Sequence, residues 1–181
     1  MIKTQRKLIL AGLLSGIGIG MLLAGCQSIP KKAQPVRNFE KEKYLGKWYE
    51  IARIDFKFEK NLEQTTAEYS LRKDGAIKVV NRGYNYKTKK WEQATGKAKF
   101  RINERVGALK VSFFGPFYSG YNVIALSGDY KYALVAGKNL DYLWFLSRHP
   151  YMPEEVKADF LAKARAVGYD VERLIWVKQE A

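Results

Sequence analysis

Cysteine and histidine are nearly missing from this chain: Cys26 and His149 are the only ones in 181 residues. One cysteine excludes an internal disulfide, and one histidine leaves no Cys/His set with metal-ligand spacing. The sequence also has no G-x-S-x-G elbow, no phosphate-binding glycine loop and no internal repeat. Its acids are numerous, but none forms a spaced pair in a credible cleft. No catalytic residues, no metal and no cofactor are therefore expected, and the chain is not read as an enzyme. Acids are outnumbered, 18 against 32 Lys and Arg, for a formal charge of +14. With 47% hydrophobic residues, the length suits one well-buried domain.

What is present begins with an address. Lys3, Arg6 and Lys7 precede a charge-free apolar run from Leu8 to Gly25, which ends in Leu23-Ala24-Gly25-Cys26. Such a run of roughly 18 residues can begin to span a bilayer. The glycines at 12, 16, 18 and 20, and the absence of a basic stop signal, favour a cleaved leader over a membrane anchor. The last four residues resemble the lipobox of bacterial lipoproteins, which implies cleavage after residue 25 and a diacylglycerol on Cys26. The sole cysteine then becomes the lipid attachment site, and Gln27 in the next position implies sorting to the outer membrane. Residues 26–37 carry two prolines, three cations and no acid, as an extended acylated tether would. Loss of residues 1–25 removes three cations and no acid, so the charge falls to +11. That surplus either attracts anionic surfaces or is simply a solvated surface. No helix-turn-helix, RNP or zinc pattern accompanies it, and no nucleic-acid partner is expected.

From residue 38 to the end the pattern is mostly that of strands. Asn38 is placed to cap a short helical turn before Gly46. Strand-like runs follow at 46–54, 64–71, 76–84, 91–101, 107–114, 119–126, 130–136 and 141–148, joined by short turns such as Asp74-Gly75. Strict alternation on the first run puts Trp48, Glu50, Ala52 and Ile54 on one face and Tyr49, Ile51 and Arg53 on the other. One helical period, Val156, Phe160, Ala164 and Val167, lies between Pro153 and Gly168, and Val171–Val177 supplies a last strand. The fold class predicted is all-β: an eight-stranded antiparallel up-and-down β-barrel with one C-terminal α-helix packed outside.

Gly46-Lys47-Trp48-Tyr49, Gly128-Asp129-Tyr130 and Ser147-Arg148 resemble, in order, the three motifs of the lipocalins, with Gly128 where the family usually has Thr. YLGKWYEIAR (44–53), LKVSFFGPFYSGYNVIAL (109–126) and DYLWFLSR (141–148) make the chain similar to bacterial outer-membrane lipocalins of the Blc type over 38–177. The resemblance implies the barrel, binding of a fatty acid or lysophospholipid, a domain facing the periplasm and a possible homodimer. It implies that Gly46, Trp48, Asp129, Tyr130 and Arg148 are structural, with Arg148 stacked on Trp48. With Arg148 inward, alternation places Leu146, Trp144 and Tyr142 on the lining, and Glu50 and Ala52 inward above Trp48. His149 then points outward, away from any haem. The resemblance also puts Tyr118 at the pocket mouth, and Phe113 adds apolar surface there. The bland reading of Trp144 is core packing, and that of the loop aromatics is a dimer contact or a cap. Glu50 either meets the ligand or is held by Arg or Tyr neighbours. The function expected is a lipid-anchored carrier; the alternative is an envelope scaffold with no lipid cargo.

Overall fold

Short connections between alternating strands force neighbours in sequence to be neighbours in space, and the structure follows that rule throughout. The computed structural model describes residues 28–180; the leader and Cys26 lie outside the described residues. A one-turn helix α1 (Lys41–Tyr44) leads into eight strands, β1 (Gly46–Ile54), β2 (Leu62–Leu71), β3 (Ile77–Asn85), β4 (Lys90–Phe100), β5 (Ala108–Phe114), β6 (Phe117–Leu126), β7 (Tyr132–Ala136) and β8 (Leu143–Ser147). Helix α2 (Glu154–Val167) and a short strand β9 (Leu174–Trp176) complete the chain. Each strand pairs antiparallel with the next, and β1 pairs with both β8 and β2, closing the barrel.

Closure is divided along the length of β1. Its first half, Gly46–Tyr49, pairs with β2; its second half, Ala52–Ile54, pairs instead with β9. The Gln179 amide bridges the seam by donating to the carbonyls of Glu50 (2.7 Å) and Thr65 (2.9 Å). The expected last strand therefore serves as a patch over the barrel's own opening.

Two apolar clusters result. One lies outside the wall, where Val156, Phe160 and Ala164 of α2 cover Phe145, Leu143, Leu134, Ala125, Ile51, Ala52 and Ile54. Pro153 caps α2 from the position before its first residue, and Gly168 ends it at φ +111°. The other cluster lies inside the barrel, with Trp48, Tyr44, Phe39, Leu146, Val79, Ile77 and Leu109 among its members.

Two expectations are corrected. Asn38 is not the cap of α1: it takes φ +56°, while Glu40 holds the N-cap position without a side-chain hydrogen bond. Nor is the proline-bearing segment a free tether, because from Ser28 onward it is strapped to the wall. Pro30 and Ala33 are buried, Val36 exchanges backbone bonds with Val123 (2.8 Å) and Gly107 (2.9 Å), and the Asn122 amide donates to Ser28 O (2.9 Å). Gly120 permits this approach, since a Cβ there would lie 1.9 Å from Ser28 O. A proline-rich stretch without apolar period gives no sign of such docking, which depends on surface supplied by β5 and β6.

Candidate functional site

The barrel is sealed at one end by a single guanidinium. Arg148 follows β8, and its charge lies 3.9 Å from the centre of the Trp48 indole, a cation–π distance. It donates to the carbonyls of Lys47 (2.7 Å), Lys43 (2.7 Å), Leu45 (2.9 Å), Tyr44 (3.1 Å) and Tyr130 (3.3 Å). Arginine suits this place because its planar fork reaches several acceptors at once. Trp48 Nε1 donates to Tyr44 O (2.8 Å), so the indole is held at one edge and across one face. Gly46 supplies the turn into β1 at φ +91°, a left-handed conformation that favours glycine. Asp129 shapes the β6–β7 turn, accepting from Ser127 Oγ (2.7 Å) and Lys131 N (3.1 Å); those bonds hold its carboxyl down at about 2.

Above this floor the walls are apolar with a few polar atoms. Leu146, Trp144, Phe113, Val111, Tyr121 and Ala67 face inward, and all but Leu146 are only partly buried. Inward-facing side chains that still touch solvent mean that the barrel's own residues do not fill it. Phe113 lies against Gly96, where any Cβ would meet its ring at 2.9 Å. Tyr44, Tyr121 and Tyr69 share hydroxyl contacts of 2.6 and 2.8 Å, and burial pushes all three phenols up, keeping them protonated. Thr65 lies in step with inward Ala67 and Tyr69, and Asn81 pairs with Ala67. Their Oγ1 and Oδ1 are buried with no protein partner among the described residues, which leaves hydrogen-bonding capacity toward the lumen.

Near the open end a bulge in β1 changes the pattern. Glu50 pairs with Leu146 but Ala52 pairs with Phe145, so Ile51 is inserted and the alternation flips. Ala52 is thereby carried outward, into the cluster beneath α2, and does not line the cavity as expected. Arg53, expected outside, turns inward and donates to Glu50 Oε1 at 2.7 Å. It also donates to the carbonyls of Glu59 (2.6 Å) and Leu62 (3.1 Å), tying down the β1–β2 loop. Burial raises both carboxyls, and one guanidinium cannot offset two. Glu50 takes the short contact, while Glu59 is pushed up to about 8 by burial and then by the Glu50 charge. Trp144 Nε1 donates to Glu59 Oε2 (3.0 Å). Phe56, on the same loop, packs on Tyr142 (5.3 Å) and Trp144 (5.8 Å), and Phe58 reaches Phe114 at the end of β5 (5.8 Å). The loop thus lies across the mouth.

A sealed floor, an apolar lumen and a covered mouth on an eight-stranded barrel can now be set beside known proteins. Residues 39–179 match the model of the lipocalin-like domain. The chain belongs to the lipocalin-like family. It is 52% identical over 160 residues to the outer membrane lipoprotein Blc of Escherichia coli strain K12, covering 87% of this chain and 90% of that protein. It is 50% identical to the Citrobacter freundii protein of the same name, covering 91% and 94%. Insecticyanin of the tobacco hornworm Manduca sexta shares the fold at TM-score 0.65 and 20% identity, over 82% of this chain and 85% of that one.

Within this lipocalin, the structure brings Trp144, Leu146, Phe113 and Glu50 onto the lumen and sets Tyr142 at its rim beside Phe56. Tyr118 departs from expectation. It stands on the outer side of β6 with the Lys110 ammonium 5.1 Å from its ring, because it alternates with inward Ser119 and Tyr121. Arg53, Phe56 and Glu59 were not singled out from the sequence. A glutamate on a lumen strand does demand a nearby cation, and that demand was the available signal for Arg53.

Proposed function

We propose that this lipocalin is a lipid-anchored protein of the bacterial outer membrane that carries a single-chain lipid, a fatty acid or lysophospholipid. The observation that carries the reading is the partly buried, inward-facing surface of Trp144, Phe113, Val111, Tyr121 and Ala67 above the Arg148–Trp48 floor. An acyl chain placed there leaves water for an apolar wall, worth about 25 cal/mol per Å² buried. The relatives named outer membrane lipoprotein support the location, and acylated Cys26 is the proposed attachment. The head group belongs at the mouth, beside the rings of Trp144, Tyr142 and Phe56.

Every strand, both helices and both apolar clusters lie within residues 28–180, so the anchor-free domain 27–181 is the sample for a test. Native mass spectrometry with added palmitate or lysophosphatidylethanolamine should show one saturable adduct per barrel. Trp144→Ala should weaken it about tenfold, through the wall area lost at the mouth. A folded domain that retains no lipid of any kind would transfer the protein to the scaffold reading.

A further inference from the structure

The open end of the barrel carries apolar and charged groups that the cargo reading does not use. Phe117 is 78% exposed, Phe114 65% and Phe58 59%, and all three sit at the tips of the β1–β2 loop and the β5–β6 turn. Around them, in or beside the loops of this end, stand Lys57, Lys60, Lys87, Lys89, Lys90 and Lys138, all exposed. None of the six forms an ion pair among the described residues. The acids of the same loops are engaged: Asp55 with Arg53, Asp141 with Arg173, and Glu59 buried beneath Trp144.

The sealed end is partly neutralised, although Lys47, Lys73 and Arg105 there are also exposed and outside any ion pair among the described residues. There Lys41 pairs with Glu104, Lys43 with Glu40, Lys131 with Asp129, and Lys97 and Arg72 with Asp74. The mouth is set apart by what stands beside its unpaired lysines, the exposed rings of Phe58, Phe114 and Phe117. Aromatic rings and lysines together suit the interface of an anionic bilayer, where the rings enter the acyl boundary and the ammonium groups meet phosphates.

The N-terminal strap gives this end a direction. It runs up the wall from Arg37, bridged to Val106 near the sealed end, to Ser28 against Gly120. Gly120 lies three residues from Phe117 on β6, about 10 Å along a strand. Cys26 is two residues beyond Ser28, a reach of about 7 Å at full extension. A chain anchored at Cys26 is held by its mouth end.

We propose that the rim formed by Phe58, Phe114, Phe117 and the six lysines is a docking surface for an anionic lipid bilayer, so that the lumen opens onto the membrane. The inference rests on the anchored-carrier reading for its biological setting, but the surface is tested without the anchor. The anchor-free domain should sediment with vesicles of phosphatidylcholine and phosphatidylglycerol at 7:3 and far less with phosphatidylcholine alone, and salt should weaken the attachment. Phe58→Ser/Phe117→Ser should reduce partitioning about tenfold with an unchanged circular dichroism spectrum. Equal sedimentation of parent and variant, or none of either, overturns the proposal. So does a parent that forms dimers dispersed by Phe117→Ser and leaves vesicles untouched, since the rim would then join two copies of the chain. Vesicle binding that persists while native mass spectrometry finds no cargo would sink the carrier reading and leave the docking surface standing. Orientation is read on the full acylated chain, whose lipid-blocked Cys26 leaves an introduced thiol as the sole labelling site. A polarity-sensitive label at Phe117→Cys should report hydrocarbon, and one at Gly128→Cys water. Water at both positions overturns the proposal.

Discussion

At the scale of the residue, the site is decided by how many partners one charge can satisfy. Arg148 serves five carbonyls and an indole, and the two contributions differ in kind. Arg148→Lys keeps the charge but not the fork, so several carbonyls lose their donor. A loss of about 2–3 kcal/mol is expected in urea unfolding, with folding retained. Arg53 is fully buried, and its loss would strand Glu50 without a counter-ion. Arg53→Met should therefore cost about 3–5 kcal/mol, while Arg53→Met/Glu50→Gln should recover most of it. Glu59 supplies a pH dependence of definite sign. Its folded value, about 8, lies above the unfolded one, so the folded state holds its proton more tightly. That stabilisation is complete below about pH 4.5 and disappears as pH rises through 8. Thermal melts should show stability falling across this window, and Glu59→Gln should flatten the profile. A parallel decline in both proteins would assign the effect elsewhere.

Between the residue and the molecule stand two elements whose roles depend on a local irregularity. One is β1, where the extra residue at Ile51 lets a single strand contribute Glu50 and Arg53 to the lumen and Ile51, Ala52 and Ile54 to the packing under α2. Strict alternation would have placed Arg53 outside in apolar packing and left Glu50 unpaired. The other element is the strap, whose docking needs the missing side chain at position 120. Gly120→Val puts carbon where Ser28 O now lies, and the strap must lift. Limited proteolysis of the variant should cut within residues 28–36 at a rate at least tenfold above the parent, with the barrel left intact. An unchanged cleavage pattern would mean that the strap is held by Val36 and Pro30 alone.

For the molecule as a whole, the seam in β1 sets how the barrel stays shut. Removal of residues 171–181 takes β9 and Gln179 from the upper half of β1, and the amides of Ala52–Ile54 should exchange with deuterium sooner than those of Gly46–Tyr49. The barrel, its order of strands and the outer helix were legible in the sequence, because alternation at period two and one stretch at period 3.6 are properties of neighbouring residues. The floor was legible too, through Gly46, Trp48 and Arg148 and the family they resemble. Leu146, Trp144 and Tyr142 followed from the regular alternation of β8. Ala52, Arg53, Tyr118 and the strap did not, since their placement depends on where a bulge falls and on which distant surface is left to cover. The sequence by itself determined which segments pair and which residues could seal the barrel, because those are set by local period and residue type. Only the tertiary structure decided which way β1 faces above Glu50, what crosses the mouth and where the strap from Ser28 docks, because each rests on contacts between segments far apart in the chain.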